Sequence, residues 1–135
     1  MIRHRALLAA ILFAAATAAG AAVTNVKTLK TWTGRMPIVI QPLLQQSVIT
    51  TPDLQRVWAT CQMKDSPPEI DFDKRMVLIA VRQSSAVKFS SIKLDKGDLK
   101  TSISVAPDKP NQYTCTFALV DRKGVKTLNG GPIGK

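Results

Sequence analysis

The stretch RMVLIAVR, residues 75–82, places six consecutive apolar residues between two arginines. A half-exposed strand alternates apolar and polar side chains, and this stretch shows no such alternation. A short continuous apolar run is typical of a strand that lies inside a sheet and is buried on both faces. The sequence therefore predicts a core strand over residues 75–82, with the other elements arranged around it.

Three later segments also have strand patterns. Residues 88–94 and 99–105 stand on either side of a turn at residues 95–98, in which Gly97 can adopt a positive φ. The two segments therefore predict a hairpin. Residues 113–119 alternate, and their apolar face consists of Tyr113, Cys115, Phe117 and Leu119.

A short helix is predicted before the core strand. Thr51 has the side chain of an N-cap and Pro52 suits the first helical position. The apolar residues that then recur at helical spacing are Leu54, Val57, Trp58 and Cys61. The sequence Ser-Pro-Pro at residues 66–68 is expected to end the helix after about three turns. The predicted fold is α+β and mainly β, with one short helix packed on a largely antiparallel sheet of five to seven strands.

The first 21 residues are predicted to be a cleavable signal peptide. Basic residues at positions 3–5 precede an apolar run over residues 6–19, and Ala19-Gly20-Ala21 fits the cleavage pattern for small residues. The alternative is a retained membrane anchor, but the apolar run is shorter than the roughly 20 residues that a helix needs to span a bilayer. No integral membrane segment is expected after cleavage.

Cleavage would leave one domain in a periplasmic or extracellular location. Residues 22–36 are weakly patterned and are predicted to be a flexible segment or an edge strand around Trp32. Residues 37–135 are predicted to form a single α+β domain, which is large enough to bury its own core.

Two cysteines, Cys61 and Cys115, are the candidates for a disulfide. Cys61 lies on the apolar stripe of the predicted helix and Cys115 on the apolar face of a predicted strand, so both are expected to point into one core. An even number of cysteines in an exported domain favours a disulfide. The alternative is a pair of buried free thiols that act as small apolar side chains.

The chain carries a net charge of +10. Without Arg3 and Arg5, its 19 basic residues fall to 17 against nine acidic ones, which leaves +8. Anionic lipid or envelope polymer is therefore a candidate partner, whereas nucleic acid is not expected outside the cytoplasm. Arg122, Lys123 and Lys126 surround the turn at Gly124 and are the candidate anionic contact. The alternative is an ordinary exposed turn with solvated lysines.

The predicted mature sequence contains no complete catalytic pattern, because its two S-x-x-K matches, at residues 85–88 and 90–93, lack the partner motifs of that enzyme class. The one histidine, His4, lies in the signal peptide, so histidine-based catalysis and the common zinc sites are not expected. Asp71 and Asp73 could act as paired carboxylates, although Lys74 and Arg75 beside them favour a solvated turn. We predict no catalytic site, metal or cofactor. A pocket that held Asp71, Asp73 and a buried lysine would support an unrecognised hydrolase instead.

Several stretches resemble a group of small exported bacterial proteins of unknown role. They are Val57-Trp58 and residues 68–72, 76–80, 96–100 and 122–130. Their order is also distantly similar to the C-terminal domain family named after the protease-complex subunit PrcB. The resemblance implies a small, mainly β domain that assists or binds a partner outside the cytoplasm.

One loop departs from the PrcB pattern. Ser-Ser-Ala-Val at residues 84–87 replaces the glycine-rich segment that is usual there, so the resemblance assigns no functional residue. The predicted function is an exported, non-enzymatic binding or accessory domain that contacts a protein, such as a protease or an envelope component, through a sheet edge or a hairpin turn. The alternative is electrostatic adhesion to anionic envelope polymer or lipid.

Overall fold

The computed structural model describes residues 23–39 and 45–135. Within these residues the chain has one helix and nine strands in two mostly antiparallel sheets, and 47% of it is strand and 9% helix. The predicted α+β, mainly β fold class is therefore confirmed. The predicted signal peptide lies outside the described residues.

The elements follow one another along the chain in a simple order. They are β1 (Thr24–Asn25), β2 (Lys30–Pro37), β3 (Ser47–Val48), α1 (Thr51–Thr60), β4 (Arg75–Arg82), β5 (Val87–Asp95), β6 (Asp98–Val105), β7 (Gln112–Asp121), β8 (Thr127–Leu128) and β9 (Gly131–Pro132). Sheet A has the strand order β1-β5-β6-β8-β9, and sheet B has the order β2-β7-β4-β3. The strands thus divide between two sheets, where the sequence predicted one.

Sheet B is the middle layer of the domain, and β4 lies inside it as predicted. Val77 and Ile79 belong to the core between sheet B and α1. Met76 and Leu78, on the opposite face of the strand, belong to the core between sheet B and sheet A. Both faces of β4 are therefore buried, which explains why its sequence shows no alternation.

Strand β7, beside β4, is also buried on both faces, although its sequence alternates. Phe117 contacts the helix layer, while Thr114 and Thr116 face the other way and are 1% and 4% exposed. Their hydroxyl groups donate hydrogen bonds to the carbonyl oxygens of Ser84, at 2.5 Å, and Val87, at 2.6 Å. Threonine can line this buried face because its polar atom has a partner there.

The helix begins one residue earlier than the sequence predicted. Thr50, not Thr51, is the N-cap: its backbone is extended, and its hydroxyl accepts a hydrogen bond from the Asp53 N–H at 3.4 Å. The helix also ends at Thr60, before the predicted Ser-Pro-Pro stop. Cys61 caps it, and Gln62 then adopts a left-handed φ of 53°, which turns the chain out of the helix.

The hairpin of β5 and β6 turns where the sequence predicted. Lys96 and Gly97 both have positive φ values, 51° and 86°. A two-residue turn of this kind matches the right-handed twist of the paired strands. The segment before β3 supplies two further edge strands, because β1 pairs with β5 and β2 pairs with β7. Trp32 lies in β2.

Asp98, in the hairpin, forms hydrogen bonds with the segment that contains the short strands β8 and β9. Its carboxylate accepts hydrogen bonds from the Gly130 N–H at 3.0 Å and from the Thr127 hydroxyl at 2.7 Å. The first of these bonds contributes most to lowering the pKa of Asp98, and the second lowers it further. The charged carboxylate therefore favours the folded state above the ordinary aspartate pKa of about 4.

We expect the stabilisation from Asp98 to be lost as the pH falls through its lowered pKa. The midpoint of urea denaturation should therefore drop more steeply below about pH 4 in the wild type than in Asp98→Asn. Asp65→Asn, which changes an exposed loop carboxylate, is the matched control and should follow the wild-type curve. Parallel curves for the wild type and Asp98→Asn would contradict the assigned role.

Candidate functional site

The outer edge of β4 is covered along only part of its length. Strand β3 pairs with Val77 and Leu78, and the Ile79 N–H donates to the Gln46 carbonyl oxygen at 2.9 Å. Alternate residues of a strand direct their backbone groups to the same edge, so Val81 directs its N–H and C=O to this side as well. Beyond Ile79, the described residues supply no strand to cover it.

Strand β6 is uncovered in the same way. Strand β8 pairs only with Asp98 and Leu99. The Thr101 N–H then donates to the side-chain oxygen of Asn129 at 2.9 Å. The same alternation directs the backbone groups of Ile103 and Val105 to this edge, where no described strand pairs with them.

The two uncovered edges border one groove, which has a volume of about 710 Å³. This volume lies in the range of about 300–1,000 Å³ that is usual for ligand sites. Polar and apolar residues of both sheets line it. The apolar ones include Leu78, Phe89, Ile103 and Val105, and the polar ones include Gln45, Gln83 and Thr101. The groove therefore combines two strand edges that no described strand covers with a mixed polar and apolar lining.

The two ends of the groove differ. At one end the Asn129 amide donates to the Gln46 side-chain oxygen at 3.2 Å and to the Thr101 hydroxyl at 2.9 Å. These bonds link the two sheets and close that end. At the other end Val105 is 48% exposed. The stretch from Thr101 to Val105 rises by about 13 Å, which accommodates four or five extended residues.

Arg82 is the one charged residue among the described residues that line the groove. Its guanidinium donates to the Val81 carbonyl oxygen at 2.8 Å, on the uncovered edge of β4. The groove lining therefore carries positive charge, and the described lining residues include no carboxylate to balance it. An occupant with an acidic group near Arg82 would be favoured over a basic one.

The two cysteines meet as the sequence predicted, but they are not bonded in this structure. Cys61 and Cys115 are both fully buried and free, and they approach to 3.1 Å. The pKa of the Cys61 thiol is raised, chiefly by its hydrogen bond with Cys115 and then by burial. The Cys61–Cys115 disulfide thus stays a prediction.

The candidate anionic contact is only partly assembled. Arg122 and Lys123 line one shallow depression, but Asp73, Lys74 and Asp121 share it. The Arg122 guanidinium donates to the Phe72 carbonyl oxygen at 2.8 Å, so it also fixes a turn.

Lys126 does not line the depression of Arg122 and Lys123. Its N–H donates to the Gly97 carbonyl oxygen at 2.7 Å, and its aliphatic stem lies beside Gly97 in the hairpin turn. Lys126 therefore packs against the hairpin turn rather than in the depression.

The two aspartates of the hydrolase hypothesis line different depressions. Asp71 shares one with Glu69 and Lys74, whereas Asp73 lies in the depression of Arg122. Lys74, which borders both, is exposed rather than buried. No group of three or more histidine, cysteine or acidic residues within the described ranges could hold a metal ion.

Sequence reasoning missed the groove. The segment 99–105, which contains Ile103 and Val105, was predicted only as one strand of a hairpin. The groove exists because β3 and β8 are two residues long and leave their neighbours uncovered. The one feature of the sequence that pointed toward the groove was an apolar residue, Val105, at the end of a predicted strand. Such a residue does not show whether the edge of its strand is covered by a neighbour.

Comparison with known proteins gives no match: no family model, curated protein or solved structure is similar to this chain. Within the described residues, no helix is long and apolar enough to cross a membrane.

Proposed function

We propose that this protein is a non-enzymatic binding domain that receives an extended segment of a partner protein in the groove between β4 and β6. The observation that carries the proposal is the pair of uncovered strand edges on either side of one partly apolar groove. In strand addition, backbone hydrogen bonds to an open edge provide affinity, and alternate side chains occupy pockets that provide specificity.

The side chains of the groove favour one kind of partner segment. Ile103 and Val105, which stand two residues apart on one wall, suit apolar side chains at every second position of an extended peptide. Arg82 suits an aspartate or glutamate in the same peptide. The expected ligand is therefore a short, extended, alternating apolar segment with one acidic residue.

The proposed place of action is the cell envelope, as the pattern of residues 1–21 predicts. The resemblance to the PrcB domain family supports the same class of function, which is contact with a protein outside the cytoplasm. A protease or an envelope component is the proposed partner.

A random library of eight-residue peptides displayed on phage tests this proposal. The wild-type protein should enrich alternating apolar peptides that contain an acidic residue. Val105→Asp places a charge in the open end of the groove, and we expect it to weaken binding of the selected peptides by about tenfold or more. Affinity is measured by fluorescence anisotropy with the synthetic peptides.

Ser104→Asp is the matched control, because it makes the same charge change one residue away on the opposite face of β6. It should change the affinity by less than about twofold. Peptides with N-methyl groups on alternate backbone nitrogens should bind weakly, since they cannot pair with an edge. No enrichment, equal loss in both variants, or unchanged binding of methylated peptides would contradict the proposal.

A second candidate, adhesion to anionic polymer or lipid, is favoured by the outer face of sheet A. Lys88, Lys93 and Lys100 are exposed there, and Lys93 is the register partner of Lys100. Binding through this face should fall steeply between low and high salt. Co-sedimentation with anionic lipid vesicles at two salt concentrations measures it, and salt-insensitive or absent sedimentation would exclude it.

A further inference from the structure

The contact between Cys61 and Cys115 joins the helix layer to the middle of sheet B. Cys61 is the C-cap of α1, and Cys115 lies within β7 and pairs with Val81 of β4. The two side chains approach to 3.1 Å, and both residues are 0% exposed. Sulfur atoms in a disulfide are about 2.05 Å apart, so a shift of about 1 Å would bring these two to bonding distance.

Gly34 lies beside the end of α1, next to the residues that hold the two thiols. It is the register partner of Cys115 on the edge strand β2. A Cβ atom at this position would lie 3.2 Å from the Cys61 carbonyl oxygen and would collide with the Met63 sulfur. The glycine therefore leaves room for Met63 and the end of α1 against β2.

We propose that Cys61 and Cys115 form a structural disulfide, introduced by a thiol–disulfide oxidoreductase before α1 docks on sheet B. One cysteine thiolate attacks the disulfide of the oxidant, forms a mixed disulfide and releases one oxidant thiol. The second cysteine thiolate then attacks the protein sulfur of the mixed disulfide and releases the other oxidant thiol. Two protein thiols are oxidised, the oxidant disulfide is reduced to a dithiol, and the two protons pass to the released sulfurs.

The order of events follows from burial. In the folded domain neither sulfur has exposed surface for a protein catalyst to reach. Exchange requires direct attack of sulfur on sulfur, so it takes place while the helix is undocked. Once the layers have closed, the same burial shields the bond from reductants. The disulfide is therefore inert in the folded domain rather than a redox switch.

Thiol labelling of the protein, expressed from the full sequence and isolated from the envelope of the expressing bacterium, tests the proposal. Labelled in denaturant without reductant, the protein should show no free thiol, and protease digestion should yield one linked peptide that contains Cys61 and Cys115. The native protein should resist a reductant that opens the bond in denaturant. Reduced protein should melt about 10 °C or more below oxidised protein.

Cys61→Ala is the matched control. Its remaining Cys115 should be fully labelled, and because labelling takes place in denaturant the result does not depend on whether this variant folds. Full labelling of both cysteines in the isolated wild-type protein, and again after refolding with oxidised glutathione, would overturn the proposal. Reduction of the bond at the same rate with and without denaturant would overturn its buried, inert character.

Discussion

Phe117→Ala is expected to lower the free energy of unfolding by about 3–5 kcal/mol. Phe117 is 0% exposed and lies in β7, between its register partners Trp32 and Ile79 in the neighbouring strands. Its ring centroid is 5.2 Å from that of Trp58 in α1. Removal of the ring leaves a cavity that the strands on both sides and the helix cannot fill by a small shift.

Urea denaturation followed by tryptophan fluorescence measures this effect. Phe117→Leu keeps most of the apolar volume and should cost about 1–2 kcal/mol. Val105→Ala, at an exposed position of β6, should change stability by less than about 0.5 kcal/mol. Similar losses for Phe117→Ala and Val105→Ala would contradict the assignment of Phe117 to the core.

The second large effect is expected for Trp58→Ala, also at about 3–5 kcal/mol. Trp58 is the largest apolar side chain that α1 places on sheet B. Its ring lies 5.9 Å from the Trp32 ring, edge to face, and its Nε1–H donates to the Asp65 carbonyl oxygen at 2.6 Å. The substitution removes the buried area, both aromatic contacts and this hydrogen bond.

Trp58→Phe separates these contributions. It keeps an aromatic ring against Phe117 and loses the Nε1–H, so we expect a cost of about 0.5–1.5 kcal/mol for the bond, plus a term for the smaller ring. Since Trp58 and Phe117 are in contact, the double alanine variant should lose less than the sum of the single losses. If the stability losses of the two single variants, measured in urea, summed to the loss of the double variant, Trp58 and Phe117 would not interact across the helix–strand interface.

Local sequence patterns correctly predicted the features that depend on residues close together in the sequence. The unbroken apolar run of β4 marked a strand buried on both faces, and Gly97 marked the hairpin turn. The helical spacing of Leu54, Val57 and Trp58 marked the face of α1 that packs on the sheet. Each of these features depends on side chains a few positions apart, so a single sequence is sufficient to reveal it.

The start of the helix was misplaced because two threonines stand side by side before Pro52. The spacing from Thr50 to Asp53 fits the Ser/Thr-x-x-Asp/Glu pattern of a helix start, and this spacing would have favoured Thr50. The buried face of β7 was missed for a different reason. Thr114 and Thr116 are polar by composition, and only their distant acceptors, the carbonyl oxygens of Ser84 and Val87, make them suitable for a core.

The division into two sheets and the groove between them depend on which strands pair and how far. Strands β3 and β8 have two residues each, which is too short to produce a recognisable pattern. Their lengths determine where β4 and β6 become uncovered. The candidate site is therefore a property of strand pairing across the whole domain, and neither Ile103 nor Val81 carries a local signature of it.

The pairing of β2 with β7 has a consequence for how the chain folds. Lys30 pairs with Leu119, so most of the sequence separates the two strands of this ladder. During synthesis from the amino terminus, β2 therefore has no partner until β7 has emerged, while the β5–β6 hairpin can close from local contacts alone. High contact order of this kind slows folding, and the ladder between β2 and β7 can form only after residue 112 has been made.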